Sequence, residues 1–118
     1  MFVFSNENGL LWGLEGAKNA VGHYAVSLAG HDRGKIYLVV GPVREGEIAG
    51  ELLLCDGKKR PIGHPKQKKR RHVTVLKERD EWLAARLLAG ERVDDSVLIH
   101  SLKEFSRGRN GDFKEKEA

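Results

Sequence analysis

The sequence predicts a small, mainly β domain followed by one or two short helices. Three observations carry this expectation. Residues 25–41 (AVSLAGHDRGKIYLVVG) form two β-prone runs joined by a tight, charged turn bounded by Gly30 and Gly34. Two further β-type runs, 48–55 and 72–77, lie downstream of it. Beyond Glu78 the apolar spacing changes to that of a helix.

Taken in order, a first strand is expected over 23–29 and a second over 35–43. Gly30 and Gly34 accept positive φ without steric cost, so the chain can reverse between the strands. Pro42 lacks an N–H, which places that end of the second strand at an edge or a bulge. Residues 44–47 read as a turn. A third strand, 48–55, contains Leu52, Leu53 and Leu54 and stops at the turn dipeptide Asp56-Gly57. Residues 57–71 read as a basic loop, held open by Pro61, Gly63 and Pro65. The segment 72–77 (HVTVLK) alternates and is β-branched, as a closing strand should be. Trp82, Leu83, Leu87 and Leu88 give a helix over 78–89, stopped by Gly90. Asp94 or Asp95 can cap a second helix whose apolar stripe is Leu98, Leu102 and Phe105. The chain thus divides into a loosely ordered extension (1–20), a β domain (21–77), a helical appendage (78–106) and a polar, frayed tail (107–118).

Charge is distributed unevenly. The formal net charge is +4, yet between Asp56 and Glu78 there are nine basic residues and no acid. The rest of the chain carries 12 basic and 17 acidic residues. An acidic body with one intensely basic segment points to a localised polyanion contact. The string KKRPIGHPKQKKRR (58–71) suits phosphates, Arg through bidentate contacts and Lys through point charges. The Gly30–Gly34 turn is expected to present backbone N–H groups and the Arg33 guanidinium to solvent, with Lys35 adjoining. Asp32 reads as a cap on that turn, since a carboxylate repels phosphate.

Other classes find little support. The 118 residues make one domain, and no run approaches the ~20 apolar residues of a membrane span. The start, MFVFSNENG, lacks the basic and apolar regions of a signal peptide. The single cysteine, Cys55, fits a reducing cytoplasm and reads as a small buried apolar residue. Cys55, His64 and His72 have no metal-ligand spacing, so neither a metal nor another cofactor is expected. No nucleophile elbow or phosphate-cradling glycine loop is present, and no catalytic residue is expected. Tyr24 and Tyr37 read as core residues, which leaves no aromatic ladder for single-stranded base stacking.

The strand–turn–strand LAGHDRGKIYLVVG resembles the KOW motif of small SH3-like barrels. Its wording is similar to the eukaryotic- and archaeal-type large-subunit ribosomal proteins numbered fourteen, six and twenty-seven, and closer still to their short bacterial KOW-domain relatives. The resemblance spans about residues 21–76, although His31 stands where those relatives have a basic residue. It implies an SH3-like barrel of the KOW type with a C-terminal helix and a cytoplasmic RNA-binding role, ribosomal RNA or the ribosome surface first. For Gly30, Arg33, Gly34 and Lys35 it implies contact with RNA backbone. Together with the charge pattern it makes Lys58, Lys59, Arg60, Lys66, Lys68, Lys69, Arg70 and Arg71 the candidate phosphate contacts. Structured RNA is then the expected partner, with ribosomal proteins second and no membrane or small-molecule substrate. The alternative reading is a protein-interaction module of the transcription and translation machinery, working through its acidic remainder and the Trp82–Phe105 helices. Non-specific DNA binding is a third.

Overall fold

The computed structural model describes residues 19–42 and 50–117, with side chains through Gly108. Most of the expected extension, the 44–47 turn and the start of the third strand lie outside the described residues. The described residues contain five strands: β1 (His23–Ser27), β2 (Ile36–Gly41), β3 (Glu51–Cys55), β4 (Lys66–Lys69) and β5 (Val73–Arg79). A 3-10 turn, Arg70–His72, joins β4 to β5, and two helices follow, α1 (Glu81–Leu88) and α2 (Asp95–Glu117). The strands form one antiparallel sheet in the order β4-β3-β2-β1-β5.

Among the described residues the sheet is not closed into a barrel. β4 is only four residues long, and the 3-10 turn passes the chain to the far edge, where β5 pairs with β1. The second difference from expectation is β4 itself, which occupies the later part of the segment read as a loop. It pairs residue for residue with β3, from Glu51↔Lys69 to Leu54↔Lys66. Lysine has weak strand propensity, so this strand forms through its leucine-rich partner and not through local preference. The third difference lies at the C-terminus, where α2 continues through the polar segment expected to fray.

One core joins the sheet to both helices. Leu38, Leu52, Leu54, Leu83 and Leu98 are fully buried within it. Asp80 caps α1, its Oδ1 accepting from the Leu83 N–H at 3.0 Å. Its other oxygen accepts from Ser101 Oγ at 2.6 Å, and Ser101 in turn accepts from the Tyr24 hydroxyl at 2.8 Å. Phe105 stacks on Tyr24 with ring centroids 4.0 Å apart. Phe105 of the apolar stripe predicted for the second helix is therefore seated on β1, and Leu98 lies in the common core with Leu102 packed against it. Pro42 follows a register shift between Val39 and Gly41, consistent with its missing donor. Among the described residues no helix is long and apolar enough to cross a membrane.

α2 also reaches the segment after β3. Asp95, read from sequence as a cap, turns its Oδ1 to the Ile62 N–H at 2.7 Å. Gly57 has φ +82°, and a Cβ there would lie 2.8 Å from both the Asp95 carbonyl oxygen and Ile99 Cγ1. Only glycine lets the helix approach this closely. Cys55 is buried as expected, its thiol donating to the Pro61 carbonyl at 3.3 Å. Burial first, then the Asp95 and Asp56 carboxylates, push that thiol up to about 12, so it stays protonated and unreactive.

Candidate nucleic-acid interface

The turn between β1 and β2 is built as the glycines suggested. Gly30 and Gly34 both have φ +88°. Its backbone donors, however, point inward. The Arg33 N–H reaches Gly30 O, Gly34 N–H reaches Ser27 O and Lys35 N–H reaches Asp32 O, at 3.2, 2.8 and 2.8 Å. The expected row of free N–H groups is not available at these three positions. The turn is a rigid support for side chains.

At its centre lies Asp32, with a side chain only 11% exposed. It does not cap the turn through its carboxylate, as sequence suggested, but gathers four side chains. Oδ1 accepts from Ser27 Oγ at 2.9 Å and Lys68 Nζ at 2.8 Å. Oδ2 accepts from the Tyr37 hydroxyl at 2.7 Å and is paired with Lys66 Nζ at 3.2 Å. Burial alone would raise this carboxyl, but the hydrogen bonds from Lys68, Tyr37, Ser27 and Lys66 overcome it and hold Asp32 well below the usual carboxylate range. Tyr37 moves the other way, pushed up by its own burial and by the adjacent carboxylate.

Strand alternation explains why these two lysines arrive together. Lys66 and Lys68 share the β4 face that carries Leu54 and Leu52 on β3, while Gln67 and Lys69 occupy the opposite face. The lysine stems lie beside the leucines and the ammonium groups extend to Asp32. Lys68 also donates to the Ala29 carbonyl at 2.7 Å, which ties the edge strand to the turn. Inward-pointing charge on an edge strand also discourages pairing with a second chain.

A second carboxylate organises the opposite flank. Asp56 Oδ2 pairs with Lys35 Nζ at 2.6 Å, and its Oδ1 accepts from the N–H groups of Lys58 and Arg60 at 2.9 and 2.8 Å. Burial would raise Asp56, but Lys35 and those two N–H groups bring it down. The segment after β3 is thus an ordered turn, not the open loop read from its prolines.

The predicted cations fall into three sets. Lys35, Lys66 and Lys68 are engaged by carboxylates inside the fold. Lys58, Lys59, Lys69 and Arg71 are exposed and have no ion pair among the described residues. Arg33 is also exposed, its Nε anchored on the Leu28 carbonyl at 3.2 Å. Arg60 and Arg70 are half-buried, and burial pushes the Arg70 guanidinium down. His72 O accepts from the Leu28 N–H at 2.8 Å, so the 3-10 turn bearing Arg70 and Arg71 sits beside the end of β1.

Sequence reasoning missed Asp32 as the hub. The one available signal was the alternation in Lys66-Gln67-Lys68, which places two lysines on one face only if the segment is a strand. Among the described residues no three His, Cys, Asp or Glu side chains gather as a metal site. The chain matches no protein-family model and no curated protein sequence.

Proposed function

We propose that this chain is an RNA-binding domain of the KOW type that docks on the phosphate backbone of structured RNA, ribosomal RNA first. The observation that carries the proposal is the exposed set Arg33, Lys58, Lys59, Lys69 and Arg71, mounted on ordered turns and an edge strand. Like charges held on rigid segments repel, and a polyanion relieves that repulsion. The strand order, the glycine-bounded turn and the 3-10 turn before the last strand support an SH3-like fold with its barrel left open. The domain acts by shape and charge and performs no catalytic step. If all five exposed cations meet phosphates, log K against log salt falls with a slope of about −3.5 to −4.5.

The test is sedimentation of a native host lysate in low and high salt, probing for this protein. Migration with large ribosomal subunits in low salt and release in high salt supports the reading. A protein that stays at the top of the gradient in low salt overturns its ribosomal form.

One observation favours the protein-interaction alternative. Trp82 is 52% exposed on α1, with the Arg86 guanidinium 4.0 Å above its ring. Phe105, its expected companion, is engaged with Tyr24 and does not extend this surface. Under the alternative, Trp82→Ala abolishes partner capture while loss of the exposed cations leaves it intact. Competition by duplex DNA equal to that by RNA would instead favour the third reading.

A further inference from the structure

We infer that the outer side of the β3–β4 hairpin holds one unstacked nucleotide of the bound RNA. This rests on the RNA-binding reading and gives it a means of reading a base. An open groove of about 640 Å³ lies there, lined by Leu53, Arg60, Gly63, His64, Pro65, Lys66 and Gln67. Its volume falls within the ~300–1,000 Å³ of ordinary small-ligand sites.

The strand pairing builds its floor. Leu53 and Gln67 are register partners and stand side by side on the sheet face opposite the Asp32 cluster. The rim is held in place on several sides. Asp56 accepts from the Arg60 N–H, Asp95 from the Ile62 N–H, and the Pro61 carbonyl from both His64 N–H and the Cys55 thiol. The groove is therefore preformed.

Three of the four polar side chains that line it are unengaged, and only Lys66 is paired. Arg60, His64 and Gln67 make no side-chain hydrogen bond or ion pair to the described residues, whereas Lys35, Lys66 and Lys68 all do. Their chemistry also differs from that of the lysine set. Leu53 and Pro65 offer an apolar surface to the face of a base. The Gln67 amide carries both a donor and an acceptor, the pair that matches the edge of adenine. Arg60 supplies a planar fork for the adjoining phosphate, and His64 at the rim supplies a ring for stacking. A base inside a duplex has its faces and pairing edge occupied, so the groove selects an unpaired nucleotide in a loop or bulge. Such a site needs no ladder of aromatic residues.

The experiment is NMR titration of the full chain with hexa-adenylate, hexa-uridylate, a blunt A-form RNA duplex and hexaglutamate. Hexa-adenylate should shift the Leu53 methyls and the Gln67 side-chain amide, and the duplex should not. Gln67→Ala should weaken hexa-adenylate roughly fivefold or more and leave the duplex unaffected. Arg60→Gln should weaken both oligonucleotides alike. Silence at Leu53 and Gln67 with both oligonucleotides, while Arg33, Lys69 and Arg71 respond to the duplex, overturns the groove and spares the RNA reading. The same shifts with hexaglutamate would mark an acidic-peptide site and overturn it too. No response to any RNA overturns both.

Discussion

The two faces of β4 carry nearly the same residues and do opposite things. Lys66 and Lys68 point to the core side, where Asp32 gathers them and the stems run along Leu52 and Leu54. Gln67 and Lys69 point outward, exposed and without carboxylate partners among the described residues. A basic stretch in a sequence is thus not a measure of phosphate-binding capacity. Three of the predicted contacts, Lys35, Lys66 and Lys68, hold the fold together, and the polyanion is left to the others.

Removing Asp32 breaks this comparison most severely. Asp32→Ala leaves Lys68, with a side chain only 10% exposed, beside Ala29 O without its counter-charge. Loss of one partner of a buried pair costs about 3–5 kcal/mol. The melting temperature should fall by more than about 12 °C, measurable by circular dichroism. A fall of a degree or two would show the cluster to be ornamental.

Acid should approach the same state in the intact protein. Asp32 and Asp56 are depressed in the fold, so their stabilisation is present above the unfolded carboxylate pKa of about 4 and is lost as pH drops below it. His23 is lowered, chiefly by burial, so the unfolded chain binds its proton first and stability already declines modestly below about pH 6.5. Denaturant midpoints across pH 3 to 8 should show a shallow loss and then a steep one. Asp32→Ala should flatten the steep part.

Lys68→Ala should cost less, about 2 kcal/mol, because Ser27, Tyr37 and Lys66 still satisfy the Asp32 carboxylate. Lys69→Ala on the other face should leave stability within about 0.5 kcal/mol. Urea unfolding of the pair sharpens the contrast directly. Equal losses at both positions would contradict the division of β4 into two faces.

Gly34→Ala should cost less than Lys68→Ala and more than Lys69→Ala. A Cβ there meets nothing within 4 Å, so the cost is that of φ +88° alone, about 1 kcal/mol. Loss of RNA binding without loss of stability in this variant would point back to direct backbone contact by the turn.

Much of the scaffold was legible because it follows local rules. The strand–turn–strand, the strand after His72 and the helix capped by Asp80 each carry a periodicity or a turn residue that names them. β4 was hidden because lysine and glutamine have weak strand propensity, and its formation depends on β3 and on Asp32, which is distant in sequence. The candidate interface was only partly legible for the same reason. Composition gives the cations, but which are neutralised depends on where two aspartates lie once the chain has folded. Asp95 illustrates the point: its position suggested a cap, and its carboxylate reaches the Ile62 N–H across the fold.

The central claim is best tested by the salt dependence of binding to an A-form hairpin RNA, measured for two variants. One replaces the outward set, Lys58, Lys59, Lys69 and Arg71, with Gln; the other replaces Lys66 and Lys68 with Met. The first should lose affinity and flatten the slope of log K against log salt by roughly 3, with stability preserved. The second should lower the melting temperature and leave the slope unchanged while the protein is folded. A slope that flattens equally in both, or only in the second, would contradict the account.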